Sequence, residues 1–309
     1  MPKAPVSVVV LAHNEAVNIR ACLSHLVGWA EQVFVLDSGS TDRTIAIAKE
    51  FGATVVEHAF QGYVEQRNWA LRELPIRHEW VFFVDTDEYP TEELKAEIGE
   101  LINDKRQTTN NVNIGKSDFP GKSDFQSIDG FYIKRRFIWE GRWIRHGGYY
   151  PVWILRLMRR SAARCEGQLM DEHFAVTGAT ERLAHDLVHD DRRGLADWKE
   201  KHRRYAVLKA REYVQRKQTT NNKLQTTNGQ TDKRATADTE QERRASRRSA
   251  YDRLPLFLRA FLYFIYVFFV QGGFLDGPRG WRYHVLHGLW YPLLIDWEIV
   301  RLRRSAPPS

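Results

Sequence analysis

The chain has 309 residues, with 46 Lys plus Arg against 39 Asp plus Glu for a net charge of +7, and it is 43% hydrophobic and 12% aromatic. That apolar content excludes a disordered chain, and only one stretch approaches the ~20 apolar residues of a spanning helix, which excludes a polytopic membrane protein. The charge is uneven: residues 1–100 hold 8 basic and 16 acidic side chains, so the remainder carries the whole basic excess. An acidic N-terminal part argues against nucleic acid as a partner, because duplex binding relies on phosphate neutralisation across the contact. The basic remainder suits phosphates or an anionic membrane surface. Two cysteines, Cys22 and Cys165, are too few for a disulfide framework and read as small buried apolar residues in a reducing compartment.

In chain order, Val6 to Leu11 is a continuous apolar run, as expected of a strand buried on both faces of a parallel sheet. It leads straight into polar residues without a cleavage site, so no signal peptide is expected there. Ala16, Ile19, Cys22, Leu23, Leu26, Val27 and Ala30 recur at helical spacing. Val33 to Leu36 predicts a second strand, and Asp42 a cap on a helix from Arg43 to Phe51 that Gly52 ends. Val55 to Glu57 predicts a third strand, Gln66 to Leu74 a helix, and Trp80 to Val84 a fourth strand running into Asp85-Thr86-Asp87-Glu88. Repeated strand–helix units of this kind predict an α/β fold on a parallel sheet with right-handed crossovers.

Two segments interrupt the pattern. Gln-Thr-Thr-Asn occurs at 107–110, 218–221 and 225–228, and Gly-Lys-Ser-Asp-Phe at 115–119 and 121–125. Such polar repeats bury too little apolar surface to offset their ordering entropy, so mobile surface loops are expected at 104–127 and 217–246. The chain then divides into a nucleotide-binding half over 1–103, the insert 104–127, an acceptor-binding and catalytic half over 128–216, the insert 217–246 and a basic, apolar helical region over 247–309. In that last region Leu256 to Val270 is apolar except for Arg259, and basic residues flank it on both sides: Arg243, Arg244, Arg247, Arg248 and Arg253 before, Arg279 and Arg282 after. A run of that length falls short of a span, and it is expected to lie in the membrane interface as a helix or re-entrant pair with 285–300. A buried core helix is the alternative.

The sharpest chemical signal is Asp85-Thr86-Asp87 at a strand end. Residues i and i+2 of an extended chain point to one side, so both carboxylates can face one ligand at the carboxyl edge of the sheet. Oxygen ligands so placed suit Mg²⁺ or Mn²⁺ bridging to a diphosphate. His13-Asn14-Glu15 follows the first strand and Asp37-Ser38-Gly39-Ser40-Thr41-Asp42 the second, so three polar clusters are predicted at that edge. Each taken singly also reads as a turn or helix start.

Together these residues resemble the family 2 glycosyltransferases, inverting enzymes with a GT-A fold: a Rossmann-like, mostly parallel sheet flanked by helices. The resemblance rests on Val6 to Leu11 with Asn14-Glu15, Val33 to Asp42, Gln66-Arg67-Asn68 and Phe82 to Glu88, and spans about residues 5–210 less the first insert. Within the family the chain is similar to bacterial lipopolysaccharide core β-glucosyltransferases and related exopolysaccharide enzymes, which share the Asp-x-Asp-Glu ending and a later His-Asp-Asp-Arg run, here His189 to Arg192. The resemblance implies Asn14 and Glu15 near the donor base, Asp37 on the base or ribose, and Asp85 on the ribose side. It further implies Asp87 on the metal and Arg67 and Asn68 near the donor phosphates or sugar. It draws the catalytic base from Met170-Asp171-Glu172-His173-Phe174, with Glu172 first and Asp171 second. Such a base takes the acceptor hydroxyl proton while the metal offsets charge on the leaving diphosphate.

Arginines interleave with aromatics from Arg135 to Arg156, a mixture that can stack on sugars and hold phosphates. From it Arg136, Arg142 and Arg156 are expected at the acceptor, with His189. His185, His189, Asp190 and Asp191 lack the spacing of a zinc site. The expected function is a metal-dependent inverting transfer of a hexose from a nucleotide sugar to a hydroxyl of a lipopolysaccharide-core, glycolipid or exopolysaccharide acceptor, at the cytoplasmic face of a bacterial inner membrane. The alternatives are a polyprenyl-phosphate glycosyltransferase and an inactive, membrane-associated sugar-nucleotide-binding protein.

Overall fold

The computed structural model describes residues 3–110, 128–167, 172–226 and 251–305. Two compact units divide the chain: Met1–Arg145 with Tyr149–Arg193, and His146–Gly148 with Gly194–Ser309.

The first unit runs β1 (Ala4–Ala12), α1 (Ile19–Leu26), β2 (Ala30–Asp37), α2 (Thr44–Glu50), β3 (Thr54–Glu57), α3 (Tyr63–Glu73), β4 (Trp80–Asp85), β5 (Glu88–Pro90) and α4 (Glu92–Asn110). It continues with β6 (Ile128–Trp139), β7 (Arg142–Trp143), β8 (Val152–Arg159), β9 (Ala163–Glu166), β10 (His173–Val176) and β11 (Ala179–His189). The main sheet has the order β3-β2-β1-β4-β8-β6-β11-β5, with β7 on β6, while β9 and β10 form a separate hairpin. Strands β1 to β4 are parallel to one another, β8 runs against both β4 and β6, and β11 lies parallel to β6.

Strand β1 shows why the sequence reads as an uninterrupted apolar run. Val8 and Val10 pack into a core with Ile19, Cys22 and Leu23 of α1 and Leu94 and Ile98 of α4, whereas Val9 packs on the other face with Ala70 and Leu71 of α3. Both faces of the strand are dry, so alternation is lost. The two cysteines are unpaired and buried, one in each of these cores.

The second unit contains α5 (Leu195–Thr226), α6 (Leu258–Ile265) continued by a π-type turn at Tyr266–Val270, a 3₁₀ turn at Gly273–Asp276, α7 (Gly277–Val285), another π-type turn at Leu286–Trp290, and α8 (Tyr291–Ser305). Helices α4 and α5 extend to Asn110 and Thr226, which corrects the expectation that the inserts begin as loops at 104 and 217. The remainder of both inserts lies outside the described residues. Ala210, Tyr213 and Ile299 join α5 to α8 through a small core.

Arg259, the single charge in the apolar run, points inward. Its guanidinium is 2% exposed, donates from Nε to Asp296 Oδ1 at 2.8 Å, and lies 4.9 Å from the ring centres of both Tyr213 and Tyr251. Asp296 also accepts the Phe257 N–H at 2.7 Å. Among the described residues no single helix is long and apolar enough to cross a membrane; Leu258–Val270 and Gly273–Ser305 meet that test only as a pair bent by 65°. Removing one partner of a buried ion pair strands the other charge, so Asp296→Leu should destabilise by about 3–5 kcal/mol, and Arg259→Met with Asp296→Leu by much less. Urea unfolding of the three proteins checks this.

Candidate active site

Parallel strands bring their carboxyl ends to one edge, and the loops after β1, β2 and β4 meet there. The first two loops are fastened to each other. Asn14 takes a left-handed conformation, φ +54°, which a short polar side chain tolerates. Its N–H donates to Ser40 Oγ at 2.8 Å and its Oδ1 accepts the Thr41 N–H at 2.8 Å. Asp37, fully buried, accepts from Gly39 N at 2.9 Å, Ser40 N at 2.7 Å and Ser40 Oγ at 2.5 Å. That tight turn requires φ +81° at Gly39, which glycine supplies without strain. Asp42 accepts from Thr44 N, the first residue of α2, and from Ala16 N in the neighbouring loop, while Arg43 takes the cap position expected of Asp42. Glu15 accepts from Arg193 at 3.1 Å and Asn18 at 2.9 Å; burial raises its carboxyl from the ordinary value against the pull of those two donors.

The third loop rests on buried ion pairs. Arg156 of β8, 8% exposed, donates Nη2 to Asp85 Oδ2 at 2.5 Å and to Glu88 Oε1 at 3.1 Å. Arg67 of α3 lies 3.4 Å from Asp85 Oδ1 and 3.5 Å from Glu172 Oε1. Glu88, fully buried, accepts the Asp85 N–H at 3.1 Å and so closes the turn from behind. Desolvation opposes ionisation at Asp85, but Arg156 and then Arg67 outweigh it and hold that carboxyl well below its usual range. For Glu88 the balance is reversed: burial raises it despite Arg156.

Asp87 faces a different group. His189 Nδ1, at the end of β11, lies 3.4 Å from Asp87 Oδ1 and 3.9 Å from Glu88 Oε1, and Arg193 Nη2 lies 3.9 Å from Asp87 Oδ2. The strand is held there by Asp190 N donating to Asp87 O at 2.7 Å and by Arg192 N donating to Asn18 Oδ1 at 2.9 Å. Neighbouring ligands of an octahedral Mg²⁺ or Mn²⁺ sit ~3 Å apart when each is ~2.1 Å from the ion. Asp87 and His189, 3.4 Å apart, are close enough that one divalent cation bound between them would touch both. Among the described residues no group of three His, Cys, Asp or Glu side chains is arranged to hold a metal.

The other expected residues fall in varied places. Glu172 is 20% exposed and opens β10, joined to the donor side through Arg67; Asp171 lies outside the described residues. Asn68 is engaged through both halves of its amide, Nδ2 donating to Cys165 O and Oδ1 accepting the Cys165 N–H, each at 2.8 Å, so it fastens α3 to β9. Arg142 is exposed at the tight turn between β6 and β7. Arg156, expected at the acceptor, is buried against the two carboxylates described above, and Arg136 donates to Asp186 at 2.9 and 2.7 Å. Sequence reasoning gave no role to Glu88 or Arg193. The signals were the third acidic residue of the Asp-x-Asp-Glu run and the basic residue just after His-Asp-Asp-Arg.

The profile described as "Glycosyl transferase family 2" matches residues 7–167, just over half of the chain. The chain belongs to glycosyltransferase family 2. Its sheet, parallel through β4 and mixed beyond, with helices on both faces, is of GT-A type. An "uncharacterized glycosyltransferase" of Rickettsia bellii is 34% identical over 102 residues, 33% of this chain and 34% of the relative. The "lipopolysaccharide core biosynthesis glycosyltransferase LpsC" of Rhizobium meliloti is 29% identical over 107 residues, 33% of this chain and 38% of the relative. The matched segments thus span about a third of the curated relatives' length. Among solved structures, glucosyl-3-phosphoglycerate synthase from Mycobacterium tuberculosis, crystallised with Mn²⁺, uridine diphosphate and glucosyl-3-phosphoglycerate, is 23% identical with a TM-score of 0.27, covering 43% of this chain and 44% of that one.

Because Asp85 titrates below its ordinary value of 3.8 in the folded glycosyltransferase, the unfolded chain takes up a proton there first. Its stabilising contribution is present above about pH 4 and is lost as pH falls through the folded value. Glu88, raised instead, contributes with the opposite sign. The excess in urea midpoint of the wild type over Asp85→Asn should hold steady from roughly pH 6 to pH 5 and shrink as pH falls below about 4, the difference cancelling the opposite contribution of Glu88.

Proposed function

We propose that this chain is a metal-dependent inverting glycosyltransferase that moves a hexose from a nucleotide sugar to a hydroxyl of a lipopolysaccharide-core, glycolipid or exopolysaccharide acceptor. The observation that carries the reading is Arg67, a single buried guanidinium lying against Asp85 on the donor side and Glu172 on the acceptor side. Asn14 and Glu15 line the edge where the nucleoside would bind, Asp37 shapes the turn beneath it from a buried position rather than touching the base or ribose, and Asp85 would hold the ribose side. Asp87 and His189 would hold Mg²⁺ or Mn²⁺, which when bound offsets the charge that grows on the departing diphosphate. Glu172 takes the acceptor hydroxyl proton as that oxygen bonds to the anomeric carbon and the bond to the diphosphate breaks. A single displacement of this kind inverts the anomeric centre and needs no covalent enzyme intermediate. Arg67 holds Glu172 in register with the donor, a use of Coulomb attraction that is strong where water is scarce. The relative involved in lipopolysaccharide core biosynthesis supports the choice of acceptor class.

We also place the protein at the cytoplasmic face of a bacterial inner membrane. Leu258, Phe261, Ile265, Phe269 and Val270 are each about half exposed or more, whereas Arg259 in their midst is buried. That is the reverse of a helix built to face water, and it supports seating in a lipid interface. Arg253, Arg279 and Arg282, all exposed, would meet anionic headgroups.

Nucleoside diphosphate release from a panel of sugar nucleotides should require Mn²⁺ or Mg²⁺ and be lost in Asp87→Ala; no turnover of any donor, with membrane extract as acceptor, overturns the reading. With a hydroxyl acceptor, Glu172→Gln should lower kcat by about 10²–10⁴-fold. Retained transfer to a polyprenyl phosphate would instead favour a lipid-phosphate acceptor. Flotation with vesicles containing anionic phospholipid should carry the protein upward, and Phe261→Glu with Ile265→Glu should leave it at the bottom of the gradient.

A further inference from the structure

Two aromatic rings stand in solvent where β3 hands over to α3. Because β3 runs parallel to β2, the loop 58–62 sits at the same carboxyl edge as the Asp37 turn. His58 N donates to Asp37 O at 2.9 Å there, and Gln66 Nε2 to Ser38 Oγ at 3.1 Å. Phe60 from the loop and Tyr63 from the head of α3 pack edge to face with ring centres 5.0 Å apart, yet remain 52% and 43% exposed. Gly62 turns the chain between them at φ +132°, a conformation that strains any residue with a side chain. Two large rings held together in water forgo burial that a ligand can restore.

A second observation lies one helical turn further on. Arg67, 7% exposed, has its guanidinium carbon 5.8 Å from the Tyr63 ring centre and its Nη1 3.5 Å from Glu172 Oε1, so it stands between the rings and that carboxylate. Among the described residues neither Arg67 Nη1 nor Glu172 Oε2, both buried atoms, has a hydrogen-bond partner. A buried donor and a buried acceptor without hydrogen bonds each bear a desolvation cost, which ligand hydroxyls would relieve. Apolar ring faces beside one such donor and one such acceptor match a pyranose, whose axial C–H groups can stack while neighbouring hydroxyls reach the polar atoms. Arg67 and Arg156 are already matched by Asp85, Glu88 and Glu172, so these groups favour no anionic sugar.

We propose that Phe60 and Tyr63 form the platform on which the accepting sugar stacks, a neutral pyranose whose reacting hydroxyl donates to Glu172 Oε2 and whose neighbouring hydroxyl accepts from Arg67 Nη1. The platform deepens the transferase reading given above and rests on it for the role of Glu172, but its affinity for a sugar can be measured without transfer. Phe60 and Tyr63 thereby set acceptor specificity: they select a ring with an apolar face over an open-chain polyol.

Saturation-transfer NMR on the full chain, with uridine diphosphate and Mg²⁺ present, tests this with the methyl pyranosides of glucose, galactose and mannose. Sorbitol, which has the hydroxyls but no ring, is the reference. At least one pyranoside should bind about 10-fold more tightly than sorbitol, with saturation strongest on the C–H groups of one ring face. Phe60→Ala and Phe60→Leu, each checked for an unchanged melting temperature, should lose most of that preference, whereas Phe60→Trp should keep it, because an aromatic face rather than apolar bulk is what counts. Binding of no pyranoside, or equal binding of sorbitol, overturns the proposal, as does wild-type preference in folded Phe60→Leu. Loss of uridine diphosphate affinity in that variant with pyranoside binding intact would give the platform to the nucleobase and overturn it too. Failure of nucleotide-sugar turnover would sink the transferase reading yet leave this comparison standing, so the two outcomes are separable.

Discussion

Arg156 holds the carboxyl edge of the sheet together. Its buried guanidinium binds Asp85 and Glu88 at once, and neither carboxylate would tolerate its position without it. Glu88 is fully enclosed and Asp85, three residues away, is only partly exposed, so two carboxylates share one turn. Arg67 supplies the second positive charge from α3. With two guanidiniums against two carboxylates the turn can point Asp87 outward to His189 without collapsing into solvent-filled space. Arg156 makes both bonds from a single Nη2, whereas Arg67 turns Nη2 to Asp85 and Nη1 to Glu172, the two prongs of one planar guanidinium.

The other loops follow the same logic with weaker bonds. Asn14 and Asp37 use side-chain oxygens to satisfy backbone N–H groups of the Ser38–Thr41 turn, so this part of the edge is shaped by hydrogen bonds within and between two loops rather than by either loop alone. Asn18, 1% exposed, fixes the segment after β11 through Arg192 N and Asp191. His189 ends β11 just before that segment and Arg193 lies within it, and both face Asp87. A residue at the start of α1 thus sets the position of groups 173 and 174 residues further along.

In the second unit the constraint is Arg259. Seating its charge on Asp296 and between Tyr213 and Tyr251 turns the apolar side chains of α6 outward. Burial of a charge costs several kcal/mol unless it is paired and hydrogen-bonded, and here both conditions are met. The exposed apolar face is the consequence of that choice, since one helix cannot bury its only charge and most of its hydrophobic surface on the same side.

The sequence by itself determined the sheet and its active edge. Continuous apolar runs ending in Asn14-Glu15, Asp37 to Asp42 and Asp85 to Glu88 are local patterns, and a parallel sheet leaves one edge at which they can meet. Local pattern also marked Cys22 and Cys165 as core. The tertiary structure alone decided partnership. Arg156 reads in sequence as one of several arginines among aromatics, and only the antiparallel pairing of β8 with β4 delivers it to Asp85. Asn68 reads as part of a donor motif, yet β9 happens to run past it and takes both halves of its amide. His189 was legible as part of a His-Asp-Asp-Arg run but not as the partner of Asp87, about a hundred residues away, because spacing along a chain carries no information about which strands lie side by side. The physical reason is that periodicity is set by nearest neighbours, whereas charge pairing is set by whatever the fold places within a few ångströms.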